Sequence, residues 1–354
     1  MRIISLVLLF SLFSCSSSFL KYDKEDKFFK NEEFEREVKI QEEAVKEEPA
    51  KVEAAKTEAE EKTSAVSATT AVKEIKKTAV KKEEPKAKPK KADAKTAAKS
   101  TKRQPEIEDN DGFEGASRRP LKDPFKVGEK VVHEVSYFSA QAGTLTMQVK
   151  PFAQVNNRKS YNFFVGLESS RIFSSFYSVD DTVNTFLDYE SLVPHVLKIN
   201  IKETGKLKQA QSYFNNDTLT ANYWEKQYTE KSGEEEKKYT WDILPFSQNA
   251  FSGIFYMRVF NWKEGKQISF RVAEDKKNIV FTGTFVGKEK LSTEAGEFNA
   301  VKIKASIVSR GALSQTGDIF IWLSDDDRKY ILRIEAKIKI GTLVSEVIEI
   351  EPGS

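Results

Sequence analysis

Residues 129–167, EKVVHEVSYFSAQAGTLTMQVKPFAQVNNRKSYNFFVGL, decide the fold. Large side chains return at every second position: Val131, His133, Val135 and Tyr137, then Leu145, Met147 and Val149, then Tyr161, Phe163, Val165 and Leu167. That period puts each set on one face of an extended strand and the intervening residues on the other. Asn156-Asn157 separates the last two runs, and paired asparagines tolerate the left-handed backbone of a tight hairpin turn. Strands that succeed one another without a helical crossover pair as antiparallel neighbours.

The same alternation recurs downstream in Ile268-x-Phe270-x-Val272, Ile279-x-Phe281-x-Gly283-x-Phe285, Val301-x-Ile303-x-Ala305-x-Ile307 and Ile319-x-Ile321-x-Leu323. Thr204-Gly205, Asn215-Asn216-Asp217, Lys263-Glu264-Gly265 and Ala295-Gly296 punctuate it as turns. The expected fold is therefore all-β and mainly antiparallel: a large curved meander sheet forming a barrel or half-barrel. So many strands must close, nearly close or split, because a flat open sheet leaves its edges bare.

One stretch breaks the alternation. In residues 242–260, DILPFSQNAFSGIFYMRVF, Ile243, Phe246, Ala250, Ile254 and Met257 fall at steps of three or four, with Phe251 and Phe255 beside them. This spacing predicts one inserted amphipathic helix, with Asp242 as N-cap and Pro245 in the first turn. Its apolar face should pack on the concave side of the sheet. Phe246, Phe251, Ile254, Phe255 and Met257 then either line an apolar groove or form a filled core, and both readings stand.

Upstream of the sheet the composition changes. Of the 40 aromatic residues (4 Trp, 11 Tyr and 25 Phe), 32 follow Pro120. Residues 21–120 are rich in Lys, Glu and Ala and too poor in large apolar groups to offset their ordering entropy, which predicts a disordered tether. The chain carries 57 basic and 54 acidic residues, a net +3, yet from Lys73 to Arg103 there are 13 basic residues against four acidic ones. That segment is either a solvated spacer or a contact for anionic cell-wall polymer, anionic lipid head groups or another envelope protein. No aromatic residue is interleaved in it to stack on bases, so nucleic acid is not expected as a partner.

The chain begins Met1-Arg2, then runs through an apolar stretch to Cys15, its single cysteine. The stretch is too short to span a bilayer and ends in a small residue, as an export signal does. Leu12-Phe13-Ser14-Cys15 resembles the lipobox of bacterial lipoproteins. That resemblance implies a signal peptide over residues 1–14, acyl chains on Cys15 and a lipid-anchored N-terminus over 15–20. Ser16 after the cysteine then favours the outer membrane of the cell envelope. With one cysteine, no intramolecular disulfide can support the domain over 121–354.

Chemistry-bearing motifs are scarce. The two histidines, His133 and His195, both sit in strand patterns. The sequence holds no G-x-S-x-G elbow, H-E-x-x-H motif or glycine-rich phosphate loop. Asp325-Asp326-Asp327 lacks the alternate spacing of a calcium loop and reads as a tight turn. Trp241, Trp262 and Trp322 suit packing better than sugar stacking. Neither catalytic residues nor a cofactor or metal site is expected.

Several short patterns taken together resemble the bacterial family called domain of unknown function 3108, from Phe125 to Val347. They are Phe125-Lys126-Val127-Gly128-Glu129, Ala142-Gly143, Asp242-Ile243-Leu244, Phe255-Tyr256-Met257-Arg258, Gly265, Gly287-Lys288-Glu289, Ala295-Gly296-Glu297-Phe298-Asn299-Ala300-Val301-Lys302, Ile321-Trp322-Leu323-Ser324-Asp325-Asp326-Asp327-Arg328 and Ile340-Gly341. The resemblance implies an exported envelope protein of β-rich fold and no activity. Two functions follow: a structural or interaction module on a basic tether, or a binder and carrier of lipid or another hydrophobic ligand.

Overall fold

The computed structural model describes residues 28, 30–43, 111–113, 117–309, 312–313, 318–338 and 341–354. Cys15 and the basic stretch 73–103 lie outside them. Sixteen strands join one sheet. A short strand, β1 (Ile40–Glu42), precedes β2 (Glu129–Tyr137), β3 (Ala140–Val155), β4 (Arg158–Ser169), β5 (Asp180–Asp188), β6 (Pro194–Glu203), β7 (Lys206–Asn215), β8 (Thr220–Thr229) and β9 (Gly233–Asp242). After one helix come β10 (Gln267–Glu274), β11 (Lys277–Thr293), β12 (Gly296–Ser309), β13 (Ala312–Leu313), β14 (Ile319–Ser324), β15 (Ile331–Ile338) and β16 (Gly341–Pro352).

Each long strand pairs antiparallel with its sequence neighbour, as the hairpin punctuation requires. Asn156 and Asn157 adopt φ of 48° and 64°, the left-handed turn expected of them. The last strand, β16, pairs with β2 and joins two meanders into one sheet, so the two edges are β9 and β10, consecutive in the chain. The sheet curves without closing. Its seam is covered instead by the connection between those edges. Gln248 forms a parallel bridge to Val272 of β10, while the Asn278 side chain donates to the Asp242 carbonyl (3.1 Å) and accepts from the Leu244 amide (3.1 Å). The bridge occupies part of the β10 edge, while the exposed β9 edge carries a run of Glu and Lys, a composition that discourages intermolecular pairing.

The inserted helix is shorter than the spacing predicts. The helix of residues 250–256 (Ala250–Tyr256) starts seven residues late, capped by Asn249 rather than Asp242, and a 3₁₀ turn, Met257–Val259, extends it. Pro245 has no amide hydrogen to give, Phe246 sits at φ 61°, and Gln248 gives its backbone to β10, so the first half of the apolar stretch is irregular. Asn249 and Ser252 form a reciprocal capping box. The helix faces the concave side as expected: Phe255 stacks on Phe163 of β4 at 4.2 Å, and Tyr256 meets Phe270 of β10 edge-on at 5.4 Å. It thus plugs the space between the sheet's two arms.

Two parts of the expected tether are folded onto the domain, a correction to the boundary at residue 120. A first helix, α1 (Glu32–Glu37), is capped by the Asn31 side chain, and β1 after it pairs with Ala153–Val155 of β3 beyond the reach of β2. The inserted helix is accordingly α2. Phe34 and Val38 bury themselves against Val155, Phe186, Val196 and Trp224, on the face opposite the α2 core, and Phe28 against Leu207. Low average hydrophobicity over 21–120 hid these three apolar residues, which need only an existing apolar surface to dock. Farther along, Phe113 joins the main core and Arg118 is fully buried, donating to the Ser191 carbonyl.

Candidate functional site: an open apolar cavity

The α2 plug occupies one end of the concave space. At the other end the inward-facing rows of β2, β3, β4, β15 and β16 run on past it and enclose a cavity of about 390 Å³. Val135, Leu145, Leu167, Val179, Ile334 and Leu343 make most of its wall. Alternation places them there: Val135, Leu145 and Leu167 belong to the three opening runs, two positions beyond His133, before Met147 and after Val165. Gly143 shapes the same wall, because a Cβ at that position would overlap the Glu168 carbonyl. The volume lies in the range of about 300–1,000 Å³ usual for ligand pockets, and a mainly apolar lining, with Glu168, Ser169 and Ser345 at its margin, suits hydrocarbon.

A loop closes one side of the mouth. Between β4 and β5 the chain makes a 3₁₀ turn, Phe173–Ser175, and Phe173 and Tyr177 face the cavity. The Tyr177 hydroxyl donates to Glu203 (2.8 Å), and the Ser178 amide donates to the Thr204 hydroxyl (2.8 Å), fixing the loop to the β6–β7 turn.

The helix residues expected to form a groove do not line this cavity. Phe255 and Met257 are buried in the main core, Phe251 and Ile254 pack half-buried against it, and Phe246 precedes the helix beneath the Arg118 guanidinium, 4.8 Å away. These five side chains therefore belong to core and flank. What the sequence reading missed is the register at which the strand rows outrun the helix, which no single strand displays.

Polar residues from distant motifs converge behind the plug. Arg258 lies bidentate on Glu129, 2.6 and 3.0 Å, and Arg328 adds a third contact at 2.6 Å. Arg258 and Glu129 are each 2% exposed. Arg258 also donates to the carbonyls of Pro124 (3.2 Å) and Arg328 (2.8 Å). The network ties the end of α2 to the start of β2 and to the β14–β15 turn, and with both guanidinium groups holding the carboxylate its role is structural. Trp322 donates to Glu289, and Trp262 lies over Gly283, where a Cβ would overlap the ring.

The remaining singled-out residues have ordinary partners. His133 is buried between the Ser345 hydroxyl (2.9 Å) and the Ile331 carbonyl (2.8 Å), and burial pushes its imidazole down to about 4. His195 lies 3.3 Å from Asp188, whose carboxyl is held well below its usual range, against the opposing effect of burial, by His195, Ser191 and Arg158. Asp325 and Asp327 pair with Lys288 and Lys122, and Asp326 accepts the amides of Arg328 and Lys329, which is the expected tight turn. Trp241 is half-buried beside Tyr239. No group of three or more His, Cys, Asp or Glu side chains able to hold a metal occurs among the described residues.

These features define a class: a β-rich half-barrel plugged by one helix, with an apolar pocket left open at one end. The chain belongs to the family described as Protein of unknown function (DUF3108), whose model matches residues 132–348, both arms of the sheet included. No curated protein matches it. Among solved structures, a β-barrel-like protein of domain of unknown function DUF1849 from Brucella abortus is similar at 9% identity and TM-score 0.41, over 64% of this chain and 98% of that one. A candidate lipoprotein from Parabacteroides distasonis is similar at 12% identity and TM-score 0.31, over 65% and 99%. A candidate exported protein with a YmcC-like fold from Bacteroides fragilis is similar at 8% identity and TM-score 0.29, over 65% and 98%.

Proposed function

We propose that the chain is a lipid-anchored cell-envelope protein, and that its β-domain is a non-catalytic module receiving an acyl chain or similarly elongated apolar ligand in the open end of the half-barrel. The cavity between Leu145, Leu167, Ile334 and Leu343 carries this reading. A domain serving only as a scaffold gains stability by filling such a space, since unfilled apolar volume forfeits packing. Here the helix fills one end and leaves the other free. Cys15, with the apolar run before it and Ser16 after it, supports acyl anchoring and an outer-membrane location.

Displacement of a fluorescent fatty acid tests the pocket. The wild-type chain should bind the probe, and Leu167→Arg should weaken binding tenfold or more, because a long charged side chain occupies and polarises the apolar wall. Phe255→Ala should instead lower stability by about 3–5 kcal/mol, since that ring is core. Failure of the wild type to bind, or equal binding by Leu167→Arg, would refute the ligand reading.

A further inference from the structure

We infer that the cavity end of the half-barrel is a membrane-contact face, so that the pocket mouth opens onto the surface of a lipid bilayer. Five large apolar side chains gather at that end: Phe138 is 71% exposed, Ile172 74%, Phe176 79%, Tyr177 45% and Leu343 39%. They come from two connections and a strand: the β2–β3 turn, the loop between β4 and β5, and the start of β16. Scattered exposed apolar residues are unremarkable, but a cluster from three segments around one opening marks an interaction surface.

Phe138 carries the point furthest. With Ser139 it occupies a two-residue hairpin turn at φ 50° and 61°, a backbone that favours Asn or Gly. A bulky aromatic residue there is strained, and most of its surface faces outward, its ring neighbour among the described residues being Tyr137 at 4.5 Å. The domain's interior therefore does not account for it. Arg171, exposed beside Ile172, supplies a cation at the level where head-group phosphates would lie.

The occupant is named by where the chain leads. Phe28 packs on Leu207, which pairs with Tyr228, at the β6–β7 turn. The same turn holds the pocket loop, for the Thr204 amide donates to the Ser178 carbonyl at 3.0 Å. Cys15 stands thirteen positions before Phe28, so fully extended chain would reach at most about 45 Å. The described chain enters the folded body at this end, so an acylated Cys15 would lie within reach of bringing it beside the bilayer. The inference uses the anchor of the proposed function but does not require the cavity to hold a ligand.

Full-length protein reconstituted in phosphatidylcholine vesicles with brominated acyl chains tests it. Phe138→Trp and Phe176→Trp should each add emission that is blue-shifted and quenched by the bromine. Leu244→Trp, at the opposite strand end, should add emission that is not quenched. Equal quenching at 176 and 244, or none at 138 and 176, would overturn the membrane face. Repeating the measurement on Phe176→Trp carrying Leu167→Arg separates the two ideas. Quenching that persists after fatty-acid uptake is lost supports the face independently of the pocket, and quenching that vanishes with it would overturn that independence.

Discussion

At the scale of single residues, two buried groups make the clearest demands. Glu129 holds both Arg258 and Arg328, so removing its charge strands two guanidinium groups, one of them deeply buried. Glu129→Gln should cost about 3–5 kcal/mol by chemical denaturation, the toll of breaking a buried pair from one side. Arg328→Gln should cost less, because Arg328 reaches solvent and Arg258 remains in place. His133 makes stability depend on pH. Its folded value of about 4 lies below the ordinary 6.5, so on acidification the unfolded chain takes up the proton first. Its contribution is complete above pH 6.5 and is lost progressively as pH falls toward 4. Glu274 and Asp181, raised by burial, act in the opposite sense, so the readout is a difference. The wild-type melting temperature should fall more steeply than that of His133→Gln between pH 6.5 and 4.5, and parallel curves would exclude the effect.

At the scale of elements, α1 and β1 show how little sequence suffices to dock on a finished sheet. Six helical residues cannot hold a helix in isolation. Asn31 caps the first turn, Phe34 enters between Phe186, Val196 and Trp224, and Glu33 accepts from the indole of Trp224 (2.9 Å). Phe34→Ala should therefore destabilise the domain by about 3 kcal/mol and red-shift the Trp224 emission as water reaches the indole. An unchanged spectrum would place α1 off the sheet in solution.

At the scale of the whole molecule, the chain returns to its own beginning twice. Strand β16 pairs with β2, and Phe28 and residues 30–43 lie on the same body as the described residues after 117. A chain cut once at an engineered protease site between residues 44 and 110 should remain one particle on gel filtration, held by Phe28, Phe34, Val38 and the β1–β3 pairing. Separation of the N-terminal piece would mean that covalent connection alone keeps it docked. The same arrangement puts Phe28, the first described residue, at the cavity end of the half-barrel, the end the proposed acyl anchor would bring to the membrane.

The alternation around Val131–Val149 and Tyr161–Leu167 determined by itself that this is an antiparallel meander, because side-chain period is a local property of extended chain. The turns at Asn156-Asn157 and Gly205 were legible for the same reason: backbone preference resides in the residue. The motifs at Glu129, Arg258 and Arg328 were visible as patterns, but their union in one buried cluster depends on a helix end, a strand start and a turn meeting. Only the tertiary structure decided that α2 stops short of Leu145 and Leu167 and leaves a cavity. It also decided that Phe34 finds a partner in Trp224, 190 positions away. Period and propensity act over a few residues, whereas a cavity is the difference between two volumes that only the assembled fold brings together.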